Sequence, residues 1–134
     1  MYRHPLFIFI FALVSLIALL HTAATELFLY WLYPWFDTLV HFLGGLFIGL
    51  SALWLFFESR YIALKRSALR AFLVTLGAII VVGIGWEIFE LVAGIPIEDN
   101  FVADTITDLS MDVLGAMLGY LAFKKLYLSV THDA

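Results

Sequence analysis

The stretch Asp104-Thr105-Ile106-Thr107-Asp108-Leu109-Ser110-Met111-Asp112-Val113-Leu114-Gly115-Ala116-Met117-Leu118-Gly119 decides how this chain folds. Three carboxylates recur at helical spacing and two glycines continue their line. At about 100° per residue, Asp104, Asp108, Asp112, Gly115 and Gly119 fall within roughly 80° of one helix face. The other faces carry Ile, Leu, Val and Met. Small residues mark where membrane helices approach one another closely. An ionised side chain at the centre of a bilayer costs ~2.5–3.5 kcal/mol even on the lenient insertion scale. The stretch therefore reads as a membrane-spanning helix whose acid-and-glycine stripe faces the interior of a bundle.

The rest of the chain agrees. Of 134 residues, 64% are hydrophobic and 13% charged, and the mean hydropathy is +1.05. A soluble domain averages roughly 25% charged residues. Apolar runs of about 20 residues, the length that crosses the hydrocarbon core as helix, place spans near residues 6–24, 37–57, 71–93 and 105–123. The expected fold is an all-α integral membrane protein, a single domain over residues 1–134, with four transmembrane helices. Leu27 to Phe36 is too short to cross and is rich in Tyr and Trp, so it reads as an outer interfacial or re-entrant segment. Tyr30, Trp31, Trp35 and Trp54 are expected as interfacial anchors. Asp104 or Thr105 is expected to cap the fourth span.

The seven basic residues are Arg3, Arg60, Lys65, Arg66, Arg70, Lys124 and Lys125. With both termini in the cytoplasm every one of them is cytoplasmic, as the positive-inside rule asks. The outer loops then hold the acids Glu26, Glu98 and Asp99. Arg3, the first apolar run and Thr22-Ala23-Ala24 share features with a signal peptide, while His21 and the length of the run argue for a retained span. The absence of cysteine excludes thiolate chemistry, and no basic tail or Cys/His cluster points to nucleic acid.

Two further spans carry the same kind of stripe. Gly83, Glu87, Glu90 and Gly94 share one face of the third, within roughly 60°, and Asp37, His41, Gly44 and Ser51 share one face of the second. At ~1.5 Å per residue, Asp37 and Asp104 lie at the outer surface, His41, Glu90 and Asp108 about 6 Å deeper, and Glu87 and Asp112 about 10–12 Å deep. Acids from three helices are thus set in matching layers. A weak repeat aligns Asp37…His41…Gly44-Gly45 with Asp108…Asp112…Gly115-Ala116, as in parallel repeats about an axis normal to the membrane. Gly45-x3-Gly49 and Gly115-x3-Gly119 read as packing contacts.

Oxygen-rich sites suit hard divalent ions such as Mg²⁺, Ca²⁺ or Mn²⁺, and one imidazole also admits Zn²⁺ or iron. The expected metal ligands are His41, Glu87, Glu90, Asp108 and Asp112. Asp37 is expected to orient His41, and Asp104 to guard the entrance. No nucleophile triad or phosphate loop is present. The enzymatic version that remains is a bound metal with Glu87 or Asp112 as general base, acting on a lipid or lipid-linked substrate. The same acids could instead serve a cation- or proton-coupled transporter, or hold a structural ion in a non-catalytic assembly or envelope-stress factor. Membrane lipids and a second copy of the chain are the expected partners.

Asp37-x3-His41-x2-Gly44, Trp86-Glu87-x2-Glu90 and Asp104-Thr105-x2-Asp108-Leu109-x2-Asp112-x2-Gly115 together resemble the YjdF-type inner-membrane proteins and, more loosely, the VanZ-like family. The likeness covers Asp37 to Gly119. It implies a small polytopic protein of the bacterial inner membrane linked to the cell envelope. It carries over the set Asp37, His41, Glu87, Glu90, Asp104, Asp108 and Asp112. The chain departs from the pattern at Thr38, where VanZ-like members often carry Lys, and is shorter than YjdF-type proteins commonly are.

Overall fold

Residues 5–94 and 100–128 are described by a computed structural model. Glu98, Asp99 and Arg3 lie outside the described residues. Helix α1 runs over Pro5–Glu26, the single turn α2 over Leu29–Leu32, α3 over Trp35–Leu53, α4 over Ala68–Ala93 and α5 over Phe101–Phe123. α3 and α5 each end in a widened π turn, Trp54–Glu58 and Lys124–Leu128. With these turns included, four helices are long and apolar enough to cross a membrane. The described residues contain no strand, as the apolar runs require.

Capping moves the start of α5 ahead of its expected position and ends α4 at Ala93, where it was expected. α5 starts at Phe101, because the Asn100 side chain accepts a hydrogen bond from the Ala103 amide at 3.3 Å. Asp104 is therefore a first-turn residue, not the cap, and neither it nor Thr105 ends the helix. α4 stops at Gly94, which takes the left-handed conformation (φ 68°) and returns its N–H to the Glu90 carbonyl. Glycine enters that region without steric cost.

The bundle is built on α3 and α5, which run in the same direction and make the most extensive helix contact. Their backbones nearly touch. A Cβ on Gly45 would overlap the Asp112 carbonyl, and a Cβ on Gly115 the Phe42 carbonyl; a Cβ on Gly49 would lie 3.0 Å from Ala116 Cα. Gly119 faces Leu46 and Leu50. Both glycine pairs expected to pack do so. Gly44 has open space instead, so the contact stripe lies one residue further along than the acid stripe suggested. The packing matches Gly45 to Gly115 and Gly49 to Gly119, whereas the sequence repeat matches Gly44 to Gly115. The twofold relation of the packed helices is thus one residue out of step with the repeat.

α4 lies antiparallel across this pair, with Gly83 beside Asp112 and Leu109 and Phe72 edge-on to Tyr120. α1 packs on α3. At one end Leu6, Ile10, Leu50, Leu53, Phe57, Ala71 and Phe123 form a dry core. Trp54 belongs to the margin of this core, its ring 5.1 Å from Phe7. At the other end Ala24, Tyr30 and Phe36 cluster. Tyr30 is therefore not an anchor at a surface: it is buried and shares a 2.7 Å hydrogen bond with His21 Nδ1. Trp31 and Trp35 do stay exposed, as expected.

All six described basic residues lie at the dry-core end, where α3, α4 and α5 have their C-, N- and C-termini. Arg66 there pairs with the buried Glu58 carboxylate at 2.7 Å and reaches the Tyr127 carbonyl at 3.4 Å. Removing one partner from a buried polar contact costs about 1–3 kcal/mol. Arg66→Ala is accordingly expected to lower the thermal midpoint in detergent, and Arg66→Lys to lower it less; equal loss from both would mean the pairing adds nothing.

Candidate functional site

Three helix ends converge opposite the basic end. The N-termini of α3 and α5 bring Asp37 and Asp104 in their first turns, where acids are favoured by the positive end of the helix dipole. The C-terminal part of α4 brings Glu87 and Glu90, where the dipole opposes them. One helical turn on from Asp37 and Asp104 stand His41 and Asp108, and a further turn along α5 stands Asp112. His41, Glu87, Asp108 and Asp112 are buried, none more than 7% exposed; Asp37, Glu90 and Asp104 are half-buried.

His41 is the hub. Its Nδ1 lies 3.4 Å from Asp112 Oδ1 and its Nε2 3.7 Å from Asp108 Oδ2, so the two ring nitrogens face two acids of α5. Ligand atoms of Asp37, His41 and Asp108 lie within 4.8 Å of one another, and so do those of His41, Glu87 and Glu90. All five expected ligands are therefore brought together around one imidazole, with Asp37 beside them. The acids nearest the ring nitrogens are Asp112 and Asp108, while Asp37 groups with His41 and Asp108. Asp104 stands one turn nearer the mouth on α5 and belongs to neither group.

Among the described residues, buried side-chain oxygens with no hydrogen-bond partner include Ser51 Oγ, Thr105 Oγ1 and Glu87 Oε1, and of these Glu87 Oε1 belongs to the acids grouped around His41. An unmade bond on a buried carboxylate is costly, more so than on a neutral group. The basic neighbour of Glu87 is His41; among the described residues every Lys and Arg is at the far end of the bundle. The site stops at the dry core. Below it stands Thr75, fully buried, whose hydroxyl donates to its own helix at Ala71.

The sequence reading missed the contact that flanks the site. His21 and Tyr30 tie α1 to α2. A histidine inside an apolar run was the available signal. The Tyr30 phenol is pushed up to about 12 by burial first, then by the negative charge of Asp37 and Glu90. Its ordinary value is 10.0, so the protonated phenol is favoured by folding. That contribution is fully present below the ordinary value and is lost as pH rises through the shifted one. The wild type minus Tyr30→Phe difference in phenolate absorbance is expected to titrate near the shifted value; titration at the ordinary one would show that Tyr30 is not held by its surroundings.

Comparison with curated proteins and with solved structures finds no match. The family described as "Predicted membrane protein (DUF2238)" matches the chain over residues 1–128. Four helices long and apolar enough to cross a membrane agree with that description, and the chain belongs to this family of predicted membrane proteins.

Proposed function

We propose that this protein is a bacterial inner-membrane protein, kin to the YjdF-type and VanZ-like proteins it resembles, whose acidic pocket opens outward and binds a divalent cation. The pocket acts on, or senses, a lipid or lipid-linked substrate of the envelope. The observation that carries this reading is Glu87 Oε1: a buried carboxylate oxygen with no partner, within a group of ligand atoms no more than 4.8 Å apart. A cation supplies what the atom lacks. His41, Glu87, Glu90, Asp108 and Asp112 offer mostly oxygen donors with one imidazole, a set suited to Mg²⁺, Ca²⁺ or Mn²⁺ and open to Zn²⁺. When bound, such an ion would polarise a substrate oxygen or acidify water, and Glu87 or Asp112 would take up the proton.

The outward orientation rests on charge. With the basic end in the cytoplasm, the pocket lies in the outer half of the membrane, open to lipid head groups. The transporter reading has little polar continuation beyond Ser51 and Thr75, because the core of Leu50, Leu53, Phe57 and Phe123 lies between the pocket and the basic end. The test is metal analysis of the purified full chain beside His41→Ala and Asp112→Asn. Wild-type protein is expected to retain a divalent metal through gel filtration, with at least a tenfold loss of affinity in both variants. Metal content unchanged in both would end the proposal.

A further inference from the structure

The site holds two ligand groups that share one side chain. Asp37 and Asp108 stand with His41 on the side of α3 and α5; Glu87 and Glu90 stand with it on the side of α4. One imidazole cannot complete both. A neutral ring has one lone pair, and the nitrogen carrying the proton needs an acceptor. His41 Nδ1 faces Asp112, the closer of its two acids. With its N–H turned there, the lone pair is on Nε2, which faces Asp108. An acid holding the far nitrogen of a ligand histidine is a common arrangement around metals. His41 is thereby committed to the group of Asp37 and Asp108, and Glu87 and Glu90 are left without it.

Apart from the shared His41, no described basic side chain stands beside these two. They occupy the C-terminal part of α4, where the dipole is unfavourable, and Glu87 Oε1 has no hydrogen-bond partner. The described Lys and Arg side chains belong to the opposite end. One divalent ion at Asp37, His41 and Asp108 would leave the glutamate pair uncompensated.

We infer that the pocket takes two divalent cations at once, one held by Asp37, Asp108 and His41 Nε2, the other by Glu87 and Glu90, with Asp112 fixing the His41 ring between them. This rests on the cation-binding reading above and deepens it, with two roles exchanged: Asp112 positions the His41 ring, and Asp37 joins the ligands. The second ion has two carboxylates and otherwise open positions, the pattern of Mg²⁺-like sites that keep water or take oxygen ligands from a substrate.

The experiment is a count. The full chain in detergent is stripped with chelator, loaded with Mn²⁺, passed through gel filtration and analysed for metal per chain. Two ions per chain are expected. Glu87→Gln with Glu90→Gln should retain one, Asp37→Asn with Asp108→Asn should retain one, and all four substitutions together none. Circular dichroism and elution volume report whether each variant is folded, and the wild-type count needs no variant. One ion in the wild type overturns the inference and leaves the cation-binding reading standing; none overturns both. Loss of both ions from a folded double variant, or retention by the fourfold variant, also overturns the inference.

Discussion

Gly115→Ala is expected to break the bundle, although alanine is the smallest change a glycine can undergo. A methyl group there falls on the Phe42 carbonyl oxygen and lies 2.7 Å from the Leu46 nitrogen. Both obstacles are backbone of α3, which cannot rotate aside as a side chain can. Overpacking typically costs about 1–3 kcal/mol, and a collision between two main chains belongs at or above the upper limit. Gly45→Ala meets the Asp112 carbonyl in the same way. Gly77 and Gly85 supply the control, since a Cβ at either meets nothing within 4 Å; Gly77→Ala and Gly85→Ala are expected to be neutral or stabilising, as alanine is the better helix former. Thermal midpoints of the four variants in one detergent decide the matter. A Gly115→Ala protein as stable as Gly77→Ala would mean that α3 and α5 are not in backbone contact.

Glu87→Gln is expected to change the response to metal more than the fold. Without a cation, the substitution replaces a buried carboxylate with one unpartnered oxygen by a neutral amide of nearly the same shape. Burying an uncompensated charge is the costlier of the two, so the variant should melt higher than wild type in chelator. With Mn²⁺ or Zn²⁺ the order should reverse. A ligand at a hundred times its dissociation constant stabilises the protein it binds by about 2.7 kcal/mol, and the variant forgoes part of that gain. Wild type and Glu87→Gln melting together with and without metal would remove Glu87 from the site.

These expectations show which parts of the molecule the sequence discloses. The four spans follow from hydropathy, since nothing but helix satisfies the backbone over such apolar runs in a bilayer. The gathering of acids follows from two periodicities: the i,i+4 spacing sets the face and the rise per residue sets the depth. Both are properties of a single helix, and both survive packing. The contacts of His41 do not follow, because they depend on how far α5 is rotated against α3, and that rotation is set where Gly45 meets Asp112 and Gly115 meets Phe42. The acid stripe put Gly44 at the interface; one residue of rotation put Gly45 there. The start of α5 was ambiguous for a chemical reason, since Asn100, Asp104 and Thr105 are all competent caps and only the path of the chain selects among them. The pairs His21–Tyr30 and Glu58–Arg66 join residues on either side of chain reversals, which neither hydropathy nor helical spacing describes.

The main-chain contact between α3 and α5 makes one wall of the pocket rigid. Asp37, His41, Asp108 and Asp112 all stand on that wall, and their mutual spacing cannot change without separating two backbones. Glu87 and Glu90 stand on α4, whose contacts with both partners are less extensive. The chamber is therefore built like a vice with one fixed jaw, and its aperture is set by the tilt of a single helix. Any adjustment of the site would therefore fall to α4, which runs from these acids to Ala68 at the basic end.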